Sequence, residues 1–330
     1  MNWKDKKVLV TGAGGFIGSH LSELLSLKGA SVRAFVRYNS TSHAGWLDKS
    51  VLRDKIEIFR GNIRDRDSVE NAIEGCDVVF HLAALIGIPY SYVAPEDYVD
   101  VNIKGTLNVC QAARKHCIER LIHTSTSEVY GTARYVPIDE KHPLQPQSPY
   151  SATKMSADAI ALSYFNTYDL PVTVARPFNT YGPRQSARAI IPTIIIQIAS
   201  GQKQIKVGDM KPTRDFNYVE DTCHGFIALA EKQSSIGQSI NIGSNYEISM
   251  EDTLKIIKNL MGSNIKVLTD GDRIRPEKSE VFRLWCDNSL MQQMTGFVPQ
   301  ISLEDGLQKT IEWLIQPENL SLYRADTYYV

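Results

Sequence analysis

The sequence has few cysteines and no cysteine pattern. Its five cysteines include no Cys-x-x-Cys pair, and none of them clusters with histidines. This distribution argues against a disulfide framework and against a zinc site, and it favours a reducing compartment. We therefore expect buried, reduced thiols and no metal site.

The sequence also lacks an excess of charge of one sign and a long hydrophobic run. The formal net charge of the 330 residues is −1, so no global basic field indicates a nucleic-acid partner. The most apolar run, residues 189–199, contains Pro192, Thr193 and Gln197 and is too short to span a bilayer. The first predicted strand begins within ten residues of Met1, which leaves no room for a signal peptide. We expect a cytoplasmic protein with no membrane partner.

The first half of the chain alternates short β-rich runs with helical patterns. The predicted strands are 7–11, 31–37, 56–60, 78–82, 120–125 and 172–176. The predicted helices are 19–28, 67–73, 99–116 and 151–168. Repeated βα units with continuously apolar strands predict a doubly wound parallel sheet of the Rossmann type, with helices on both faces. Ligands of such folds bind at the carboxyl ends of the strands.

The pattern changes after residue 176, where proline and glycine become frequent. We predict short strand pieces at 205–207 and at Val219, a strand at 239–243, and helices at 225–231, 250–261 and 303–314. The prediction is a dinucleotide-binding domain over 1–176, with a later return near 217–243, and a smaller mixed α/β substrate domain over 177–330. For the segment from Tyr323 to the end, docking on the body and disorder are both open.

A glycine-rich turn follows the first predicted strand. Gly12, Gly15 and Gly18 come directly after an apolar run and directly before a helical pattern. Glycines let the backbone turn sharply and approach a pyrophosphate, while the first helical N–H groups, with Phe16 and Ile17, face its phosphates. The order strand, glycine turn, helix predicts a dinucleotide site.

The end of the second strand bears on the choice between NAD and NADP. An acidic residue there favours NAD, whereas an arginine accommodates the 2′-phosphate of NADP. Here the strand ends at Arg37, followed by Asn39 and Ser40, with no Asp or Glu. The residues therefore favour NADP, although Arg37 stacked on adenine or facing solvent is the alternative. The other predicted cofactor contacts follow the third and fourth strands and are Asn62, Ile63, Leu82, Ala83 and Ala84.

Tyr150 and Lys154 lie one helical turn apart on one face. A lysine ammonium near a phenol favours the phenolate and lowers the pKa of the tyrosine. Such a tyrosine can take a proton from a substrate hydroxyl while hydride leaves for a nicotinamide. The pair predicts oxidation chemistry, with both residues also contacting the cofactor.

Together these motifs resemble the extended short-chain dehydrogenase/reductase family along essentially the whole chain. The segments that carry the resemblance are the glycine turn, His81-Leu82-Ala83-Ala84, Ser125-Thr126-Ser127-Glu128-Val129-Tyr130-Gly131 and the Tyr150/Lys154 pair. The resemblance implies a nucleotide-sugar substrate and a catalytic triad of Thr126, Tyr150 and Lys154. It also implies that Asn102 belongs to the cofactor site. It further implies a homodimer formed through a four-helix bundle of the helices predicted at 99–116 and 151–168.

The subclass depends on Ser127 and Glu128. Hexose 4,6-dehydratases of the family carry Asp-Glu here, with the glutamate as the base that removes the C5 proton. UDP-glucuronate decarboxylases carry Thr-Ser-Glu, and plain epimerases usually lack the glutamate. Glu128 therefore argues against a simple C4 epimerase, while Ser127 leaves dehydration and decarboxylation open.

Later segments are similar to those that bind nucleotide sugars in the family. The implied substrate contacts are Asn179, Arg184, Arg188, Arg214 and Arg275. Guanidinium groups suit phosphates because their fork binds two oxygens at once. The sequences of residues 36–40, 45–47, 179–188 and 191–193 are similar to those of N-acetylglucosamine 4,6-dehydratases of legionaminic acid-type pathways. That group is described as NAD-dependent. That description conflicts with the preference for NADP read from Arg37.

We therefore expect a nucleotide-sugar 4,6-dehydratase acting on UDP- or GDP-N-acetylglucosamine. Tyr150 would deprotonate the C4 hydroxyl, Glu128 would remove the C5 proton, and water would leave from C6. The alternatives are a UDP-glucuronate-type decarboxylase, a C4 or C5 epimerase, and a dehydratase that releases a 5,6-ene. A non-enzymatic dinucleotide sensor is the alternative from another class; it predicts a damaged Tyr/Lys pair, and here both residues are intact.

Overall fold

A seven-stranded parallel sheet forms the centre of the molecule in the computed structural model, which describes residues 1–325 and 327. Its strands, in spatial order, are β10 (Ser239–Ile242), β6 (Val172–Pro177), β5 (Arg120–Thr124), β4 (Val78–His81), β1 (Lys7–Thr11), β2 (Ser31–Arg37) and β3 (Ile56–Gly61). The central strands are apolar and buried along nearly their whole length, as expected for a sheet covered on both faces. The predicted doubly wound fold is confirmed.

Helices cover both faces of this sheet. The helices of the first half are α1 (Phe16–Leu27), α2 (Arg66–Ile73), α3 (Ile88–Val93), α4 (Pro95–Tyr98), α5 (Gly105–Lys115) and α6 (Pro149–Tyr168). Those of the second half are α7 (Ile190–Ala199), α8 (Val219–Glu231), α9 (Met250–Leu260), α10 (Ser289–Thr295), α11 (Leu303–Leu314) and α12 (Pro317–Leu320). One core cluster lies under α1 and α8, and a second lies under α2, α5 and α6.

Two smaller sheets lie beyond the sixth strand. Strands β11 (Glu247–Ser249), β9 (Thr213–Tyr218) and β7 (Asn179–Tyr181) form one, and β12 (Lys266–Thr269) pairs with β8 (Gln204–Val207) in the other. Strand β10 returns to the large sheet beside β6, so the second half of the chain contributes strands to the large sheet and to both smaller sheets. The division into two domains stays a prediction.

Two local predictions were wrong. Val219 is not part of a strand but the first residue of α8, since β9 ends at Tyr218. The helix predicted over 99–116 is regular only from Gly105, because Val99–Lys104 is wound as a π-helix. Such a widened turn changes the direction in which its side chains point, and it brings the buried Asn102 against the fourth-strand loop.

The described residues contain no helix that is long and apolar enough to cross a membrane. Within the same part of the chain, no group of three histidines, cysteines or acidic residues could hold a metal ion.

Candidate active site

The glycine turn joins β1 to α1 at the carboxyl edge of the large sheet. Gly12 has a positive φ of 71°, and a Cβ on it would lie 2.9 Å from the main-chain nitrogen of Ala83. A Cβ on Gly18 would collide with the carbonyl oxygen of Gly12. The glycines are therefore required by the close approach of three backbone segments. Helix α1 begins after Gly15 with no side-chain cap, so its first N–H groups remain available for an anion.

A buried histidine aligns the neighbouring wall of this site. The Thr11 hydroxyl accepts the N–H groups of residues 82 and 83 and donates to His81 Nδ1 at 2.8 Å. The opposite nitrogen of His81 donates to the Thr106 hydroxyl at 3.1 Å, because that hydroxyl itself donates to a main-chain carbonyl. Burial lowers the pKa of His81 well below its usual value, which keeps the ring neutral. One tautomer thus fixes the backbone of Leu82 and Ala83.

Asn102 holds the next residues of the same loop. Its side chain accepts the N–H of Leu85 at 2.8 Å and donates to the Leu85 carbonyl at 3.0 Å and to Thr153 at 3.0 Å. Thr153 lies beside Lys154 on α6. Asn102 therefore connects the fourth-strand loop to the helix that carries the Tyr150/Lys154 pair.

The predicted contacts for the adenosine part lie at the ends of β2 and β3. Arg37 is exposed and is the last residue of its strand. Asn39 organises its own loop by accepting the N–H of His43 at 2.9 Å, whereas Asn62 accepts from Arg64 at 3.1 Å. The uncapped helix end, the required glycines and the fixed 82–85 loop together fit a dinucleotide, and residues Gly12–Gly18 with 82–85 would hold it.

Tyr150 lies in the first turn of α6, which a Ser148/Ser151 capping box begins. The phenol is buried, and burial raises its pKa above the ordinary value, although a hydrogen bond with the Thr126 hydroxyl acts in the opposite direction. The charge of Glu128 raises the pKa further. The structure therefore brings Thr126, Glu128 and Tyr150 to one point.

Lys154 is also buried, and its ammonium donates to the main-chain carbonyl of Thr124 at 2.6 Å. Burial lowers its pKa to about 8. The expectation that Lys154 lowers the pKa of Tyr150 was wrong for this arrangement, because burial is the largest effect on that pKa and raises it, while the lysine is engaged with β5.

A buried carboxylate behind this pair escaped the sequence analysis. Asp158 accepts from the Ser125 hydroxyl at 2.6 Å and from Arg176 at 3.2 Å, and its other oxygen lies 3.3 Å from His123 Nε2. Burial raises its pKa, but His123 and Arg176 outweigh burial and hold the pKa below the usual range. Asp158 also raises the pKa of Lys154, against the effect of burial. The signal was present: Asp158 follows Lys154 at the same spacing that separates Lys154 from Tyr150.

Glu128 lies on a short 3₁₀ turn, Ser127–Tyr130, that directly follows β5. The Thr126 hydroxyl caps this turn by accepting the Glu128 N–H at 3.2 Å. Ser127 and Glu128 are both buried. The turn therefore places Glu128 where its charge acts on both Tyr150 and the buried Arg214 of β9.

Two of the predicted substrate arginines share one carboxylate. Arg214 donates to Glu280 at 3.2 Å, and the Arg275 guanidinium lies 3.6 Å from the same oxygen. Burial lowers the pKa of Arg214, whereas the charges of Glu128 and Glu280 raise it. Glu280 was not predicted from the sequence, because nothing local links it to Arg214.

The other substrate candidates lie around residues 179–188. Arg184, with a positive φ of 71°, binds both carboxylate oxygens of Glu23 on α1 at 3.0 Å, so the structure places it against the cofactor helix. Arg188 lies against Gly87, where a Cβ would approach its guanidinium to 2.8 Å, and its charge acts on Tyr98. Asn179 Oδ1 is buried and has no hydrogen-bond partner among the described residues.

Tyr98 lies between Arg188 and Tyr150. Its ring lies edge-on to Tyr150 with centroids 6.3 Å apart. Burial raises the pKa of Tyr98 to about 12, and Arg188 acts against this shift. A guanidinium therefore stands one aromatic ring away from Tyr150.

The chain matches the model of the GDP-mannose 4,6 dehydratase family over residues 9–310. It is 34% identical to the low-salt glycan biosynthesis protein Agl12 of Haloferax volcanii over 93% of this chain and 98% of the relative. It is 33% identical to the UDP-N-acetyl-alpha-D-glucosaminuronate decarboxylase of Bacillus cytotoxicus over 95% of this chain and 99% of the relative.

Solved structures with the same fold include two that contain NAD. DesIV of Streptomyces venezuelae, a dTDP-glucose 4,6-dehydratase, superimposes with a TM-score of 0.84 at 29% identity, covering 94% of this chain and 98% of that one. UDP-glucuronic acid 4-epimerase of Bacillus cereus superimposes with a TM-score of 0.85 at 29% identity, covering 96% of this chain and 100% of that one. This chain therefore belongs to the extended short-chain dehydrogenase/reductase family of nucleotide-sugar dehydratases and epimerases.

Proposed function

We propose that this protein is a nucleotide-sugar 4,6-dehydratase that acts on UDP- or GDP-N-acetylglucosamine. The observation that carries the proposal is the buried Glu128 carboxylate on the turn that Thr126 caps, whose charge acts on both Tyr150 and Arg214. Oxidation at C4 would require the tyrosine as a base and a bound nicotinamide as the hydride acceptor, but no second carboxylate. A second, buried carboxylate in the same pocket supplies the base that removal of the C5 proton needs.

Tyr150 takes the proton of the C4 hydroxyl in this scheme. When bound, a nicotinamide cofactor would supply the hydride acceptor for oxidation at C4 and the hydride donor for reduction at C6. Thr126 shares a hydrogen bond with the phenol and stabilises its ionised form. Lys154 keeps a positive charge in the buried pocket, where it favours any negative charge that develops nearby.

Glu128 removes the C5 proton, which a ketone at C4 makes acidic. Water then leaves from C6 after protonation of its oxygen, and C5 regains a proton from solvent when hydride is returned to C6. Ser127 is a poor acid, so Glu128 passes on the proton that it has just received. The near absence of solvent around this carboxylate favours such a direct return.

The preference between the two nicotinamide cofactors depends on Arg37 in this proposal. Its guanidinium ends β2 with no acidic residue beside it in sequence, which favours a 2′-phosphate. We expect Arg37→Ala to weaken the binding of NADP while leaving that of NAD unchanged, measured by calorimetry. Equal losses for both cofactors would show that Arg37 does not contact the 2′ position.

Decarboxylation of a UDP-uronic acid is the second candidate, and Arg188 favours it. A guanidinium one ring away from Tyr150 provides a cation for the carboxylate of such a sugar. This reaction requires the same oxidation at C4 but no removal of the C5 proton, so Glu128 would not be needed as a base.

Mass spectrometry after incubation with UDP-N-acetylglucosamine, GDP-N-acetylglucosamine and UDP-glucuronate decides between these functions. Loss of one water from an N-acetylglucosamine nucleotide is the expected result. Loss of carbon dioxide from UDP-glucuronate would establish the second candidate. An unchanged mass with an altered NMR spectrum would mean epimerisation and would overturn the proposal.

We also propose a homodimer formed through α5 and α6, which contact each other along the surface. Leu107 on α5 and Tyr168 on α6 are exposed apolar side chains that such a pairing would cover. Light scattering of the purified protein should give twice the mass of the chain. A single-chain mass at micromolar concentration would contradict this.

A further inference from the structure

Three aromatic side chains from distant parts of the chain meet beside the glycine turn. The Trp46 ring lies edge-on to Trp313, with centroids 5.5 Å apart, and is stacked on Tyr323 at 6.4 Å. Trp46 belongs to the segment that follows β2, Trp313 to α11, and Tyr323 to the C-terminal segment. None of them belongs to the proposed catalytic group.

On the cofactor side, this cluster rests on the glycine turn itself. The main-chain N–H of Trp46 donates to the main-chain carbonyl of Gly14 at 3.0 Å. Gly45, with a positive φ of 67°, approaches the same carbonyl so closely that a Cβ would collide with it. A Cβ on Gly14 would lie 2.7 Å from the carbonyl oxygen of Ala44. The backbone around Trp46 therefore forms one wall of the glycine turn, and the same backbone carries the ring on which Tyr323 packs.

On the other side, the cluster reaches the segment of residues 179–188. The Tyr323 hydroxyl donates to the carbonyl of Gln185 at 3.1 Å. The Gln185 side chain in turn donates to the carbonyl of Thr180 at 2.9 Å, which closes this segment on itself. The neighbouring Arg184 binds Glu23 on α1. The glycine turn and the 179–188 segment are thus joined twice, once through α1 and once through Tyr323.

We propose that Tyr323 is a positioning residue that sets the 179–188 segment against the glycine turn through Trp46. The inference rests on the proposed function in one respect, namely that the 179–188 segment contacts the nucleotide sugar. Tyr323 touches neither ligand in this account. Its ring supports Trp46 and so the cofactor site, whereas its hydroxyl supports Gln185 and so the substrate site. The affinities for cofactor and substrate are therefore coupled through one side chain.

Two variants of the full chain separate these contributions. Tyr323→Phe removes only the hydrogen bond to Gln185, so we expect KM for the nucleotide sugar to rise about fivefold with kcat and the cofactor Kd unchanged. Tyr323→Ala also removes the stack on Trp46, so we expect the cofactor Kd, measured by calorimetry, to rise about fivefold as well. In a double-mutant cycle, adding Trp46→Ala to Tyr323→Ala should weaken cofactor binding less than the sum of the two single changes.

Tyr246→Ala is the matched control, because this tyrosine is exposed and lies in a turn away from both segments. It should leave the cofactor Kd and KM at the parent values. The proposal would be overturned if Tyr323→Ala lowered only the melting temperature and left the cofactor Kd and KM unchanged. If no nucleotide sugar reacted but the cofactor Kd still responded as expected, the proposed function would fail and the role of Tyr323 would stand.

Discussion

The two sides of the proposed active site, one with Tyr150 and Lys154 and the other with Arg214 and Arg275, hold their charges in different ways. On the proposed catalytic side, Lys154 is bonded to a neutral carbonyl at the end of β5, and Tyr150 to the neutral hydroxyl of Thr126, two residues beyond that strand. On the substrate side, Arg214 and Arg275 are paired with a carboxylate of the protein, Glu280. In the proposed mechanism the catalytic groups are therefore placed before any ligand arrives, whereas a diphosphate would compete with an internal carboxylate for these arginines.

The largest effect should follow from removal of the catalytic phenol. Tyr150→Phe keeps the ring that packs on Tyr98 but removes the group that accepts the C4 proton. We expect kcat to fall by about 10²–10⁴-fold, as for loss of a general base, with substrate affinity retained. Activity within tenfold of the parent would show that another group takes this proton.

Loss of the second base should be nearly as severe. Glu128→Gln keeps the size of the side chain and removes its basicity, so we expect dehydration to slow by about 10²-fold or more. Single-turnover kinetics with the nucleotide sugar measure this step. Ser127→Ala is the matched control on the same turn, and it should cost far less, because serine donates no proton at neutral pH. Dehydration by Glu128→Gln at the parent rate would remove Glu128 from the mechanism.

A smaller effect, of opposite sign, is expected on the substrate side. Glu280→Gln releases Arg214 and Arg275 from their internal partner, so we expect UDP to bind about three- to tenfold more tightly, with a lower melting temperature. Calorimetry with UDP measures this change. Weaker binding of UDP would show that Glu280 contacts the nucleotide and does not compete with it, and the contrast between the two sides would then fail.

The pH dependence of activity tests how the catalytic side is held. Burial lowers the pKa of Lys154 to about 8, so the side chain loses its positive charge above that pH. The groups facing it are Asp158, which favours the cation, and His81 and His123, which are neutral because burial lowers their pKa. Asp158→Asn removes the favourable charge, so we expect the alkaline limb of kcat to move to lower pH.

Asp221→Asn is the control for this pH profile. Asp221 is a buried carboxylate that accepts two main-chain N–H groups, of residues 300 and 301, at 3.0 and 2.9 Å. Its replacement should lower stability without moving the pH profile. An unchanged profile in Asp158→Asn would show that Asp158 does not set the charge of Lys154.

The smallest effect concerns the pH dependence of stability at the contact between α1 and the 179–188 segment. His20 on α1 donates to the carbonyl of Pro183 at 3.1 Å, and burial lowers its pKa to about 4. Protonation therefore favours the unfolded chain as the pH falls from about 6.5 towards 4. Asp215, whose pKa burial raises to about 6, acts in the opposite direction, so only a comparison of variants isolates His20. We expect His20→Gln to lose less stability than the parent between pH 6.5 and 4.5 in urea titrations; equal losses would contradict this.

Features that depend on residues close together in the sequence could be predicted, and features that depend on residues far apart could not. The glycine turn and the Tyr150/Lys154 pair depend on neighbours within one strand or one helix, so their spacing alone indicated both. The strands of the large sheet were predicted for the same reason, because each is a short run rich in apolar and β-branched residues, and the central ones are buried along nearly their whole length.

Interactions between distant residues could not be read in this way. Arg184 was expected at the substrate, and the structure pairs it with Glu23, which is 161 residues away. Glu280 lies 66 residues from Arg214, and no local pattern links them. Asp158 was missed although its spacing from Lys154 was visible, because a carboxylate on a helix face gives no sign of being buried.

The most direct test of the central claim is the mass of the product formed in heavy water. If Glu128 removes the C5 proton and water leaves from C6, the product from UDP- or GDP-N-acetylglucosamine lacks one water and carries one solvent deuterium at C5. Glu128→Gln should give neither change. A dehydrated product without deuterium, or a product that has lost carbon dioxide and not water, would contradict the account.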